Sequence, residues 1–282
     1  MPHSDPTLLV STDWLAAHLE APDVRIIDAS WYLPQMERDA KAEYQAGHIP
    51  GTVFFDIDEI CDLDVDAPHM LPRPEKFASR MRKLGIGDGN RVIIYDGAGI
   101  FSAARVWWMF RAMGHEDVAV LDGGLPKWKA ENRPISDMAP VPRERHYTAR
   151  LNNLVVRDLG QMLRNTEARR EQVIDARAPG RFDGSDPEPR PGMRSGHIPG
   201  ATNLPFMKLL NEDMTMKSRR DLEALFESAG IDANTPKVTS CGSGITAAVL
   251  FLGLTIAGHR HVSLYDGSWS EWGARDDTPV ET

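Results

Sequence analysis

The chain has 282 residues, 41% hydrophobic and 26% charged, with a formal net charge of −9 at pH 7. That length can bury a sizeable core and points to two domains, while ordinary Gly and Pro fractions exclude disordered and fibrous classes. The acidic balance argues against nucleic acid or an anionic membrane as a partner, and two cysteines do not make a secreted disulfide framework.

Taken in chain order, helical periodicity covers residues 12–20 and an apolar strand follows at 24–29. Next come the turn Gly47-His48-Ile49-Pro50-Gly51, a helix at 74–84, a strand from Val92 into the loop Tyr95-Asp96-Gly97-Ala98-Gly99, and a helix at 103–113. Leu121-Asp122-Gly123-Gly124 closes this half, with Trp128 behind it. The landmarks then return in the same order at offsets of 144 to 149 residues. Asp175 matches Asp28, Gly196-His197-Ile198-Pro199-Gly200 repeats the pentapeptide, Cys241 matches Asp96, and Tyr265-Asp266-Gly267-Ser268 with Trp272 matches the closing motif. Helical patterns at 159–166, 219–229 and 247–256 complete the second half.

Four landmarks at near-constant offset indicate a duplicated domain. Short apolar strands alternating with helices imply an α/β fold, each copy a mainly parallel sheet flanked by helices. The predicted boundaries are a first domain at 1–137, a linker at 138–148 marked by Pro140 and Pro142, and a second domain at 149–282.

The second copy concentrates its chemistry in Cys241-Gly242-Ser243-Gly244-Ile245-Thr246, between a strand and the helix at 247–256. Gly242 and Gly244 permit backbone N–H groups to turn inward as an anion cradle, and the helix N-terminus adds to the same field. A thiol held there is expected to lose its proton more easily than a free cysteine, and the same cradle suits a charged sulfur adduct.

Other readings compete. Cys241 is equally a small buried hydrophobe. Gly242-x-Gly244-x-x-Ala247 fits the dinucleotide fingerprint, but too little chain follows Asp266 to complete that unit. Residues 238–258 carry no charge, as a membrane span would, yet begin with Ser, Thr and Gly. Asp62-x-Asp64-x-Asp66 lacks the glycine and glutamate of a calcium loop, and no zinc spacing occurs, so no cofactor or metal is expected. A cysteine phosphatase would need an arginine closing the loop, which is absent. A non-catalytic sulfur carrier or interaction module would keep both fold and cysteine.

The whole pattern resembles the tandem-domain rhodanese family of sulfurtransferases, in which only the second of two rhodanese-like domains carries the reactive cysteine. Asp28-Ala29-Ser30-Trp31-Tyr32-Leu33-Pro34, Phe54-Phe55-Asp56-Ile57-Asp58, His69-Met70-Leu71-Pro72, Arg105-Val106-Trp107-Trp108, Pro187-Glu188-Pro189-Arg190 and Tyr265-Asp266-Gly267-Ser268-Trp269 carry the resemblance besides the loop. The loop is similar to that of the 3-mercaptopyruvate-specific branch; the thiosulfate-specific branch has basic residues after the cysteine.

The resemblance implies a first domain without catalytic chemistry, Asp96 standing where the second has Cys241. It further implies that Cys241 takes sulfur from 3-mercaptopyruvate as a persulfide, releases pyruvate, and passes the sulfur to a thiol such as thioredoxin or to cyanide. Arg181 and Arg190 would hold the donor carboxylate, with Gly242, Gly244, Ile245 and Thr246 forming the loop around it. Ser243, His69 and Asp58 would form a proton relay reaching across a cleft between the domains; the plain alternative is a helix cap, a loop histidine and a turn residue. His48 and His197 read as turn-structuring, and Trp107, Trp108, Trp269 and Trp272 as core. With no export or transit pattern in residues 1–6, a cytoplasmic location is expected.

Overall fold

A computed structural model describes residues 8–282. Two five-stranded sheets organise the chain, and every strand pairing in them is parallel.

The first sheet contains β1 (Leu9–Val10), β2 (Val24–Asp28), β3 (Thr52–Phe54), β4 (Arg91–Tyr95) and β5 (Val118–Leu121) in the order β1-β5-β4-β2-β3. The second contains β6 (Val156–Arg157), β7 (Gln172–Asp175), β8 (Thr202–Asn203), β9 (Lys237–Ser240) and β10 (Val262–Tyr265) in the order β6-β10-β9-β7-β8. The two orders are the same once each strand is replaced by its repeat partner, so the duplication read from four landmarks extends to topology.

Helices α1 (Thr12–Ala17), α2 (Ala40–Ala46), α3 (Pro74–Lys83), α4 (Ser102–Ala112) and α5 (Gly124–Ala130) serve the first sheet. Helices α6 (Leu159–Ala168), α7 (Pro179–Asp183), α8 (Arg219–Ser228), α9 (Ala247–Ile256) and α10 (Ser268–Trp272) serve the second. Helix α1 is shorter than its periodicity suggests: the ring of His18 stacks on Trp14 at 4.0 Å and its Nδ1 pairs with the Trp14 carbonyl, closing the helix after Ala17.

Each sheet packs its own core. Val10, Leu15, Ile26, Ile93, Tyr95, Leu121 and Trp128 form one cluster; Met162, Val173, Ile198, Val238, Tyr265, Trp269 and Trp272 form the other. Helix α9 is buried from Ala247 to Leu254, which explains a charge-free segment without a bilayer. Among the described residues, no helix is long and apolar enough to cross a membrane.

The chain divides into two compact units that trade short segments. Unit 1 holds the described residues as far as Asp62, Leu71–Asn152 and Leu210–Met216, whereas unit 2 holds Leu63–Met70, Asn153–Leu209 and Lys217–Thr282. Within unit 1, the Met216 N–H donates to Asp122 Oδ1 at 2.8 Å, and Met214 packs so tightly on Gly99 (φ 113) that no side chain fits there. The proline-marked stretch at 138–148 also belongs to unit 1, where Tyr147 is fully buried against Phe77, Phe110 and His115.

The two pentapeptide histidines organise backbone. His48 Nδ1 pairs with the Tyr44 carbonyl at 2.7 Å and its main chain bridges to Ser136; His197 Nδ1 pairs with Phe182 O at 2.9 Å and its main chain bridges to Glu281.

Candidate active site

Cys241 stands immediately after β9, at the carboxyl edge of a parallel sheet, where side chains and loop N–H groups converge. It is buried, with 2% of its surface exposed. Helix α10 clamps its backbone: the Trp269 N–H donates to Cys241 O at 2.9 Å and the Ser270 N–H to Gly242 O at 2.8 Å. The Cys241 N–H donates to Ser268 Oγ at 3.3 Å, and Ser268 itself is held in the left-handed region at φ 48. A serine kept at that cost marks a position that the surroundings over-determine.

The same clamp exists in unit 1, where the Leu125 N–H donates to Asp96 O at 3.0 Å. What differs is the filling. The Asp96 carboxylate is fully buried inside its own loop and accepts N–H groups from Ala98, Phe101 and Ala103, each at 2.8 Å. It thereby caps α4. Burial is the largest influence on its proton affinity and raises its pKa, with the loop N–H groups working against that rise.

In unit 2 no carboxylate fills the loop. Thr246, the N-cap of α9, makes no side-chain cap bond, and Gly244 takes φ 78. The residues equivalent to Ala98 and Phe101 are Ser243 and Thr246, whereas the N–H of Ala248, equivalent to Ala103, donates to Ile245 O at 3.2 Å.

Arg181 rises from α7 toward the cysteine loop. A Cβ placed on Gly242 would lie 3.0 Å from Arg181 Nη2, so the guanidinium approaches this backbone closely and would have to give by a few tenths of an ångström to admit a side chain. Glu188 fixes that guanidinium, accepting Nε at 3.2 Å and Nη2 at 2.6 Å. The same carboxylate accepts Arg177 Nη1 at 2.8 Å. Arg177 is buried, bonded also to Asp175 and to Gly196 O, with its guanidinium carbon 4.4 Å from the Trp269 ring centroid. Burial disfavours its charge, but Asp175 and then Glu188 outweigh that and raise its pKa. Arg190 is partly buried two residues beyond Glu188.

His69 comes from the first half of the sequence but belongs to unit 2. It is buried, adopts φ 63, and places Nδ1 3.0 Å from Ser243 Oγ. Asp58 lies in unit 1 and exposed, where its carboxylate accepts Trp31 Nε1 at 3.1 Å. The structure therefore gathers Cys241, Gly242, Ser243, Gly244, Ile245, Thr246, Arg181, Arg190 and His69 in one unit, and gives Asp58 a partner of its own in the other.

Sequence reasoning passed over Arg177, the clamping role of Ser268 and the double duty of Glu188. Arg177 had a signal: it stands where the first copy has Ser30, two residues after the matched strand-end aspartates. Cys61 is buried with Sγ donating to Asp58 O at 3.1 Å. Among the described residues, no group of three or more His, Cys, Asp or Glu side chains is arranged to hold a metal ion.

Comparison with known proteins gives consistent matches. The rhodanese-like domain family matches twice, over residues 11–131 and 156–275. The 3-mercaptopyruvate sulfurtransferase of Escherichia coli (strain K12) is 45% identical over 276 residues, 98% of this chain and 98% of that protein. The 3-mercaptopyruvate sulfurtransferase of Homo sapiens is 44% identical, covering 94% of this chain and 91% of its own. The thiosulfate sulfurtransferase of Rattus norvegicus is 42% identical, covering 97% and 94%. The crystal structure of SseA from Escherichia coli superposes with a TM-score of 0.85 at 42% identity, over 93% of this chain and 99% of that one.

Proposed function

The chain belongs to the rhodanese family, whose domain it carries twice, and we propose that it transfers sulfur from 3-mercaptopyruvate to an acceptor through a persulfide on Cys241. The supporting observation is the convergence of a buried thiol, a guanidinium held against Gly242 and a hydroxyl–imidazole pair on one loop.

In the first half-reaction the Cys241 thiolate attacks the donor sulfur. The S–S bond forms as the C–S bond breaks, and the leaving electron pair passes to carbon as the enolate of pyruvate, which then takes up a proton. Arg181, with Arg190, holds the donor carboxylate, so the sulfur is presented at the mouth of the loop. The Ser243 and His69 pair carries the proton that leaves the donor thiol and the one that reaches the enolate carbon. Loop N–H groups stabilise charge on the persulfide as their unit 1 counterparts stabilise Asp96. In the second half-reaction a thiol or cyanide removes the outer sulfur and regenerates Cys241.

Asp58 is the third relay member suggested by the family pattern; Asp58→Asn should then reproduce the kinetic effect of His69→Ala. A thiol acceptor such as thioredoxin and a cytoplasmic location fit two free cysteines and belong to the same proposal. The first domain, 1–137, is assigned a supporting role and the second, 149–282, the chemistry.

The test is pyruvate release with 3-mercaptopyruvate against thiocyanate formation with thiosulfate, with intact mass after each donor alone. Preference for 3-mercaptopyruvate and a gain of about 32 Da as persulfide is expected. Greater use of thiosulfate would replace this reading with that of a thiosulfate sulfurtransferase, and no sulfur gain from either donor would leave a carrier or interaction module.

A further inference from the structure

The structure assigns to unit 1 a second binding site, a cavity at the amino edge of the first sheet that takes a small ligand ending in a doubly charged, phosphate-type group. It lies at the opposite edge of that sheet from the Asp96 loop.

The cavity has a volume of about 450 Å³, within the range of small-molecule sites. Val24, which opens β2, and Gly51, which precedes β3, set its position. Leu19, Leu84 and Pro140 give it an apolar wall, and Arg25, Arg143 and Arg145 line the rest. Among the described residues of the lining, Glu20 is the only acid.

The backbone holds these cations in place without neutralising them. Arg25 donates from Nε to Gly85 O at 3.3 Å and from Nη1 to Pro22 O and Val24 O at 3.1 and 2.6 Å. Such acceptors orient the guanidinium but leave its charge unanswered and its Nη2 edge uncommitted. The segment that carries the other two arginines is laid closely on the sheet edge: a Cβ at Gly85 would lie 3.1 Å from Arg143 O, and one at Gly87 3.0 Å from Arg145 Cβ. The Thr148 N–H donates to Asp88 Oδ1 at 2.7 Å and the Asp88 N–H to His146 O at 3.1 Å, on either side of the buried Tyr147. Burial and then the charge of Arg145 lower the pKa of Arg25, with Asp23 opposing. An anion placed among these like charges relieves their repulsion.

Unit 2 has the same frame without the site. Gln172 takes the strand position of Arg25, since β7 pairs with β9 as β2 pairs with β4. Its Nε2 donates to Gly230 O at 2.9 Å, as Arg25 Nε does to Gly85 O. A Cβ at Gly230 would meet open space among the described residues, so no segment is laid over it. A neutral side chain therefore suffices for the structural bond, and the arginine adds charge that this bond does not use. Guanidinium forks match phosphate oxygens in pairs. Three cations against one acid complement a dianion, and the apolar wall receives the body of its ester.

Calorimetric titration of the full chain compares phenyl phosphate with benzoate, the same ring carrying one charge. The titration is run at about pH 8, where a phosphate ester with a second pKa of about 6 is a dianion. Phenyl phosphate is expected to bind at least about tenfold more tightly than benzoate. Arg25→Gln gives unit 1 the side chain that unit 2 uses, and so should fold. It should weaken phenyl phosphate binding at least about tenfold, the scale of a charge-assisted hydrogen bond, with KM for 3-mercaptopyruvate unchanged. Arg145→Gln, at an exposed position, should weaken binding similarly and serves if Arg25→Gln fails to fold. Equal binding of phenyl phosphate by the parent and either folded variant would overturn the site, since the anion would then sit elsewhere. No binding of phenyl phosphate to the parent, or equal affinity for benzoate, would overturn it as well.

Discussion

His69 Nδ1 and Ser243 Oγ stand 3.0 Å apart, both buried, the serine two residues past Cys241 and the histidine in a left-handed backbone conformation. A pairing that brings together residues 174 positions apart and holds a non-glycine residue at positive φ is expensive to maintain for packing alone. His69→Ala and Ser243→Ala should each lower kcat for 3-mercaptopyruvate by about 10²-fold, the usual scale for a positioned proton-transfer group. The double variant should cost little more than either single one, because both act in one step. Additive losses would separate them into independent roles.

Cys241→Ser should abolish persulfide formation and leave the melting temperature within a few degrees of the parent, since a hydroxyl replaces a thiol of similar size. Intact mass after donor treatment reads the first outcome and a thermal melt the second. Sulfur uptake by the serine variant would move the nucleophile elsewhere.

Arg190→Ala should raise KM for 3-mercaptopyruvate by roughly tenfold or more, the value of a charge-assisted hydrogen bond. Arg177→Ala tests a different quantity. It leaves Asp175 and Glu188 buried without their shared cation, a loss of about 3 kcal/mol or more. Urea unfolding should therefore separate the two variants before any assay does.

The fold was legible in the sequence because duplication doubled each weak signal. A single Gly-His-Ile-Pro-Gly is a turn of no particular meaning; two of them, flanked by matching strands, disclosed a repeat and hence a topology. The duplication also singled out Cys241, by setting it against Asp96, whereas Arg181 and Arg190 were suggested by the resemblance to the family and not by the repeat. The linkage of Arg177, Glu188 and Arg181 was not legible, since it joins residues at irregular spacing through side-chain geometry. Nor was the reassignment of residues 63–70 and 210–216 between units: such segments have no periodicity, and the tertiary contacts that claim them leave no local mark.

Asp96→Ala removes the acceptor of three N–H groups, that of Ala103 buried and those of Ala98 and Phe101 partly so, and with it the cap of α4. Unit 1 should lose about 2 kcal/mol, as for a lost helix cap with further unsatisfied donors. Chemical denaturation provides the measurement, and an unchanged midpoint would mean that water or a solute anion fills the loop equally well.

Asp122 supplies the pH dependence. Burial, opposed by the N–H of Met216, raises its pKa to about 6. A carboxyl group with a folded pKa above its unfolded value contributes stability that is fully present below about pH 4 and is lost as pH rises through 6. Asp122→Asn keeps the acceptor for Met216 and has no charge to bury. It should be more stable than the parent by roughly 1–3 kcal/mol above pH 6, with the advantage disappearing below pH 4. Melting temperatures of the two proteins across pH 3.5–8 would check both the sign and the window, the approximate limits following from the two pKa values. A constant difference across that range would remove the titration from the explanation.

The segments exchanged between units bear on the order in which this protein can be made. A ribosome delivers all five strands of the first sheet early, yet the Met216 N–H that donates to Asp122 and the Met214 side chain that covers Gly99 arrive only with residues 214–216. The early half must therefore wait, with that surface bare, until about half of its sibling has been synthesised. The piece of the second unit that carries His69 has by then long been available. Vectorial synthesis thus finishes the first unit late, and release of the first 152 residues alone would yield a body missing one of its own parts.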